Sequence, residues 1–108
     1  MASNFNVNVL GVARLTNAAL PLMRKSEVRR IFVISSITGT PGFYIEGNMA
    51  IASAYGPTKS ATTTLTVHYA IALKEEGFTV VPVHPGWVRT EMGGETGDIS
   101  VEESIDGL

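Results

Sequence analysis

Residues 31–34, Ile-Phe-Val-Ile, are a continuous apolar run of β-formers that follows Arg29-Arg30 and is closed by Ser35 and Ser36. A strand with apolar side chains on both sides of its pleat must be covered on both faces, as the central strands of parallel sheets are. Thr79-Val80-Val81-Pro82-Val83 is a second such run, although Pro82 would demote a strand in a regular ladder. Parallel neighbours need a long crossover, and the intervening chain supplies one. From about Ser53 to Glu76, residues Ala54, Ala61, Leu65, Ala72 and Leu73 recur near helical spacing, and Gly77 stands where a C-cap belongs.

The flanking segments complete the pattern. Phe5, Val7 and Val9 alternate at strand spacing, whereas Leu10, Ala13, Ala18 and Leu22 follow the helical period. The span from Leu10 to Leu22 is too long for a typical strand, so a helix ending near residues 23–25 is predicted, with Pro21 in a bend or kink. Residues 37–53 hold three glycines and a proline and are predicted as a loop of about seventeen residues, a length usually tied to function or disorder. Ser100 as N-cap, with Glu102 and Glu103 in the first turn, opens a short final helix with little to pack on. Helix, strand, helix, strand, helix predicts an α/β chain: a partial Rossmann-like, doubly wound parallel sheet with right-handed crossovers. Two strands make a poor parallel sheet alone. Residues 1–108 therefore read as one partial domain, the second half of a larger unit whose first βαβ units are missing.

Composition narrows the function. Hydrophobic residues make up 44% and charged ones 17%, which suits a globular chain and not a disordered one. The net charge is −2 and no basic run exceeds Arg29-Arg30, so nucleic acid and anionic membranes are poor partners. Without cysteine there is no disulfide or thiolate chemistry. The start, MASNFNVNVLG, lacks the pattern of a signal peptide, and no apolar run nears the roughly 20 residues that span a bilayer. A soluble, cytoplasmic protein is the expectation.

The stretch SAYGPTKSA places Tyr55 four residues before Lys59, on one face of a helix. A phenol with a pKa of about 10 is a poor acid or base at neutral pH, and a nearby ammonium favours the phenolate and makes it a usable proton carrier. A packed tyrosine beside a surface lysine is the bland alternative. Ser35 and Ser36 fall at the carboxyl end of a strand, where ligands bind in open α/β sheets and a hydroxyl can bond a carbonyl oxygen as charge develops. His68 and His84 have no carboxylate at ligand spacing, so no metal site is expected. GPTKS lacks the glycine directly before lysine that a phosphate loop requires, and no Gly-x-Ser-x-Gly elbow occurs. Phe43, Tyr44 and Trp87 either line an apolar pocket or anchor loops.

VISS, then YGPTK as Tyr-x-x-x-Lys, then HPGWVRT, preceded by NVLG as Asn-x-x-Gly, occur in one order over nearly the whole chain. In these motifs the sequence resembles the short-chain dehydrogenase/reductase family. HPGWVRTEMGG and the nineteen-residue step from Ser36 to Tyr55 look most like its C-factor-like branch and the fungal norsolorinic-acid-ketoreductase relatives. The resemblance implies Tyr55 as general acid/base and Lys59 as the cation that tunes it and bonds the nicotinamide ribose. It implies Ser36, rather than Ser35, as catalytic serine, and Asn8 as holder of a relay water, though Asn4 and Asn6 stand close by. Pro85, Gly86, Val88 and Thr90 match the segment that closes over the nicotinamide. The implied cofactor is NADP or NAD, and the implied substrate is a small carbonyl or alcohol compound. The implied partner is a second copy, met through the helices at 10–23 and 54–76. The family's Thr-Gly-x-x-x-Gly-x-Gly turn is not in this sequence. A truncated, non-catalytic fragment or interaction module that cannot bind cofactor alone is thus the alternative to an NAD(P)-dependent oxidoreductase.

Overall fold

The structure is a computed structural model that describes residues 2–48, 50, 54–91, 94–95 and 97–108. Two parallel strands, β1 (Arg30–Ile34) and β2 (Thr79–Val83), pair in the register Arg30 with Thr79 through Ile34 with Val83. The helices are α1 (Ala2–Phe5), α2 (Gly11–Met23), α3 (Pro41–Gly47), α4 (Tyr55–Ala72) and α5 (Val101–Asp106). The α/β alternation is as the apolar runs predict.

Several details differ from the sequence reading. The first helical stretch begins at Ala2 and not near Leu10: a π-helical segment, Asn6–Leu10, joins α1 to α2 without a break. The alternation of Phe5, Val7 and Val9 is not a strand, since all three lie in helical turns, with only Val9 buried. Pro21 falls in the last turn of α2, where its missing N–H costs one intrahelical bond. Residues 37–47 are not an irregular loop. They form a 3₁₀ turn, Ile37–Gly39, and then α3, with Pro41 preset for the first helical position and Asn48 as a left-handed cap. The expected start of the long helix near Ser53 lies outside the described residues. Its end is as expected, through a 3₁₀ turn (Lys74–Glu76) to Gly77 at φ +79°.

Pro82 fits because of strand parity. The Thr79 N–H donates to the Arg29 carbonyl and the Val83 carbonyl accepts from Ser35, so odd residues of β2 face β1 and the ring nitrogen of Pro82 faces away. Leu20, Leu73, Phe78 and Val80 form the core, with Met23, Ile31, Tyr69 and Ala70 packed around them. The buried face of α4 is not built on Ala72, which is exposed, but on Thr58, Thr62 and Thr66. Each hydroxyl donates to a carbonyl one turn back: Thr58 to Tyr55 at 2.8 Å, Thr62 to Thr58 at 2.9 Å, Thr66 to Thr62 at 2.7 Å. Threonine can therefore be fully buried there with its hydroxyl satisfied.

The expectation of a strand covered on both faces fails for β1. Val33 is buried, whereas Phe32 and Ile34 are 59% and 51% exposed, so the pleat side they share is open. Helices α2 and α4 supply the residues that cover the other side. The C-terminal helix also departs from expectation, because it has something to pack on. Ser100 and Glu103 form a reciprocal capping box, and the buried Ser104 hydroxyl donates to the Pro85 carbonyl at 2.6 Å.

Candidate active site

The carboxyl end of β1 is tied to α4 by short polar contacts. Ser35 is buried, shares a hydrogen with Thr63 Oγ1 at 2.7 Å and donates to the Lys59 carbonyl at 3.3 Å. Those bonds use it as a fastener. Ser36 is half-buried with an extended backbone, and its Oγ caps the following 3₁₀ turn by accepting from the Thr38 N–H at 3.2 Å. The same Oγ lies 2.8 Å from Thr38 Oγ1. Gly39 presses on α4 so closely that a Cβ there would lie 2.8 Å from the Lys59 carbonyl carbon, and Ser60 Oγ donates to the Gly39 carbonyl at 2.7 Å. Only glycine allows the serine turn and the Tyr-Lys helix to meet this way.

Tyr55 opens α4 and Lys59 lies one turn on. The Lys59 Nζ stands 5.6 Å from the centroid of the Tyr55 ring, within cation–π range, and donates to the Ile34 carbonyl at 3.0 Å. Partial burial pushes this ammonium below the ordinary lysine range, because desolvation penalises its charge. The lysine is therefore aimed at the strand end and the tyrosine, and does not trail into water. Tyr44 on α3 brings its hydroxyl against Gly56, where a Cβ would collide with it.

Asn8 is half-buried in the π-helical segment, and its main-chain carbonyl accepts from Thr62 Oγ1 at 2.8 Å. A π-turn shifts helical bonding by one residue and often marks functional positions. Asn8 and Lys59 share the lining of a cleft of about 560 Å³ that runs beside β1, with Val12, Thr16, Phe32 and Ile34 among its other walls. The Pro85–Thr90 segment is held by a separate strap. Val88 bridges to Ile99, with Arg89 N–H to the Ile99 carbonyl at 2.8 Å and Ile99 N–H to the Trp87 carbonyl at 3.1 Å. Gly86 has φ +91°, and a Cβ there would meet the Ile99 side chain at 2.5 Å. Thr90 borders a second cavity of about 490 Å³ with Arg89, Glu91, Gly94 and Glu95.

Lys59 thus links Tyr55 to the strand end that leads into Ser36, Asn8 lines the same cleft as Lys59, and Val88 and Thr90 lie in the segment that the Ile99 strap holds. Sequence reasoning passed over Thr38, Gly39 and Ser60, which fix the turn; the only cue was a glycine amid small polar residues. It also assigned His84 no role, although its Nδ1 accepts the Ile37 N–H at 3.2 Å. Among the described residues no cluster of histidine and carboxylate side chains is arranged to hold a metal, and no helix is long and apolar enough to cross a membrane.

The chain is similar to proteins of known family along its whole length. It is 35% identical over its full length to C-signal of Myxococcus xanthus, covering 63% of that protein. It is 36% identical over 96% of its length to an uncharacterized oxidoreductase of Saccharomyces cerevisiae, covering 40% of it. In three dimensions it matches an NADPH-bound carbonyl reductase from chicken fatty liver with a TM-score of 0.84 at 30% identity, over 96% of this chain and 45% of that one. The carbonyl reductase Sniffer of D. melanogaster matches with a TM-score of 0.79 at 30% identity, over 93% and 44%. The chain therefore spans about half the length of the relatives it matches. The short chain dehydrogenase model matches residues 1–99, and the chain belongs to that family.

Proposed function

We propose that the chain carries the catalytic face of an NAD(P)-dependent oxidoreductase, one that moves a hydride between a nicotinamide and a ketone or secondary alcohol. The observation that carries this reading is Lys59, whose Nζ is 5.6 Å from the Tyr55 ring centre and 3.0 Å from the carbonyl of the strand end that leads into Ser36. An ammonium with one N–H spent on Ile34 keeps two donors for ribose hydroxyls. That donor set, with the side-chain-free Gly86 beside Pro85, fits the nicotinamide end of a dinucleotide. The phosphates find no glycine-rich turn within these 108 residues. When bound, the nicotinamide supplies the hydride chemistry.

The side chains supply the rest. If Thr38 donates its hydroxyl hydrogen to Ser36, the Ser36 O–H is left for the substrate oxygen. Tyr55 gives its proton to that oxygen in reduction and takes it in oxidation, and Lys59, one turn along the same helix, holds its ammonium over the Tyr55 ring. Asn8 is the relay-water holder, and Pro85, Gly86, Val88 and Thr90 are the lip over the nicotinamide. The half-buried Phe43 and Tyr44, with the exposed Trp87, favour a small apolar or aromatic substrate. The cytoplasm is the proposed setting.

The test is titration of the 108-residue chain with NADPH and NADH, followed by nicotinamide fluorescence, and then assay with an aromatic ketone. Saturable binding with ketone-dependent loss of reduced dinucleotide supports the proposal; no response to either dinucleotide rejects it. A second reading rests on the open pleat side of β1 and on exposed Leu15 and Leu22 of α2 and Val67 and Ile71 of α4. Such surfaces favour self-association through the helices at 10–23 and 54–76. An oligomer that grows with concentration and ignores dinucleotide is its signature, and a flat thermal melt marks a fragment that does not fold alone.

A further inference from the structure

We propose that His84 is a positioning residue whose Nδ1 fixes the turn that carries Ser36. The first N–H groups of a helical turn have no partner inside it. In the Ile37–Gly39 turn, the Gly39 N–H reaches the Ser36 carbonyl at 2.9 Å and the Thr38 N–H reaches Ser36 Oγ at 3.2 Å. The Ile37 N–H is the remaining one, and it donates to His84 Nδ1 at 3.2 Å. The imidazole arrives there by register. Ile34 pairs with Val83 and the Ser35 N–H donates to the Val83 carbonyl at 2.7 Å, so the residue that follows β2 stands beside the start of the turn.

The turn is then held from two sides, by His84 at its first residue and by Ser60 Oγ on the Gly39 carbonyl at its last. His84 also directly precedes Pro85, whose carbonyl is bonded by Ser104. One side chain thereby links the serine turn to the Pro85–Thr90 segment. A nitrogen that accepts from a main-chain N–H carries no hydrogen, so this contact requires the ring hydrogen on Nε2. Its value to catalysis rests on the oxidoreductase reading above; the hydrogen bond itself does not.

The carboxamide oxygen of asparagine occupies the place of imidazole Nδ1, whereas that of glutamine extends toward the place of Nε2. Long-range ¹H–¹⁵N spectra of the 108-residue chain are expected to show His84 as the Nε2–H tautomer. Amide exchange at Ile37 is expected to be about fivefold faster in His84→Gln than in the natural chain, the size of one lost neutral hydrogen bond. His84→Asn is expected to keep the natural rate, and the Val33 amide is expected to be unchanged in both variants. A hydrogen on Nδ1 in the natural chain, or an Ile37 rate equal in all three proteins, overturns the proposal. Neither readout needs a dinucleotide. Failure of the oxidoreductase reading would instead appear as silence toward NADPH and NADH with this signature intact.

Discussion

At the amino end of the sheet, Arg29 spends all three of its nitrogens on main-chain carbonyls: Ser26 at 3.1 Å, Glu76 at 2.6 Å and Arg24 at 2.7 Å. Its guanidinium also lies 5.4 Å from the Phe78 ring centre, and Arg24 closes the same corner with an ion pair to Glu76 at 2.8 Å. At the carboxyl end Lys59 likewise bonds a main-chain carbonyl and faces an aromatic ring, through one donor of its three. A planar guanidinium with each of its three nitrogens bonded is a clasp, whereas the partly buried ammonium is held by one bond to the main chain. The two ends share a vocabulary of cation, carbonyl and ring. They differ in how firmly the cation is fixed.

The largest effect that would break this contrast is on turnover. Tyr55→Phe is expected to lower the rate of carbonyl reduction by about 10²-fold or more with the fold intact, since a positioned acid contributes on that scale. Retained turnover removes the acid/base role. Gly39→Val is next: a Cβ 2.8 Å from the Lys59 main chain forces the serine turn off α4, and urea unfolding is expected to show a loss of about 2–4 kcal/mol. A loss below about 0.5 kcal/mol would mean that the two elements separate freely.

Arg29→Met sharpens the other side of the comparison. It strips the carbonyls of Ser26, Glu76 and Arg24 of a shared donor, and a loss of about 1–2 kcal/mol is expected, with dinucleotide response untouched. The smallest effect is acid-specific. The Arg24 guanidinium holds the Glu76 carboxyl below the ordinary carboxylate value, so its contribution is present above about pH 4.5 and is lost as pH falls through the lower folded-state value. Arg24→Gln is expected to flatten that part of the stability–pH curve slightly, and added salt should mimic it. An identical curve in the variant would show that the exposed pair contributes nothing.

The legible parts of the fold were those written in short-range pattern. Residues 31–34 and 79–83 announced strands because β-formers cluster there, and Gly77 and Ser100 announced helix ends because a left-handed cap and a capping hydroxyl are local requirements. Helix α3 was hidden by its glycines, although Pro41 marked its start. The threonine face of α4 was missed because threonine looks polar until its hydroxyl finds a carbonyl in its own helix. Phe32 and Ile34 misled in the opposite direction. Apolar sequence states what should be covered, and coverage depends on chain that must pack there.

For the site, the spacing of Tyr55 and Lys59 was enough to place both on one helical face, because the α-helical repeat is fixed by backbone geometry. Tertiary structure alone decided that Lys59 turns toward the Ile34 carbonyl, that Gly39 lies against the Lys59 backbone, and that His84 meets Ile37 from 47 positions away. Those contacts depend on register between strands and on close approach between a turn and a helix. A one-dimensional pattern carries periodicity, but it does not carry the distance between elements that only packing brings together.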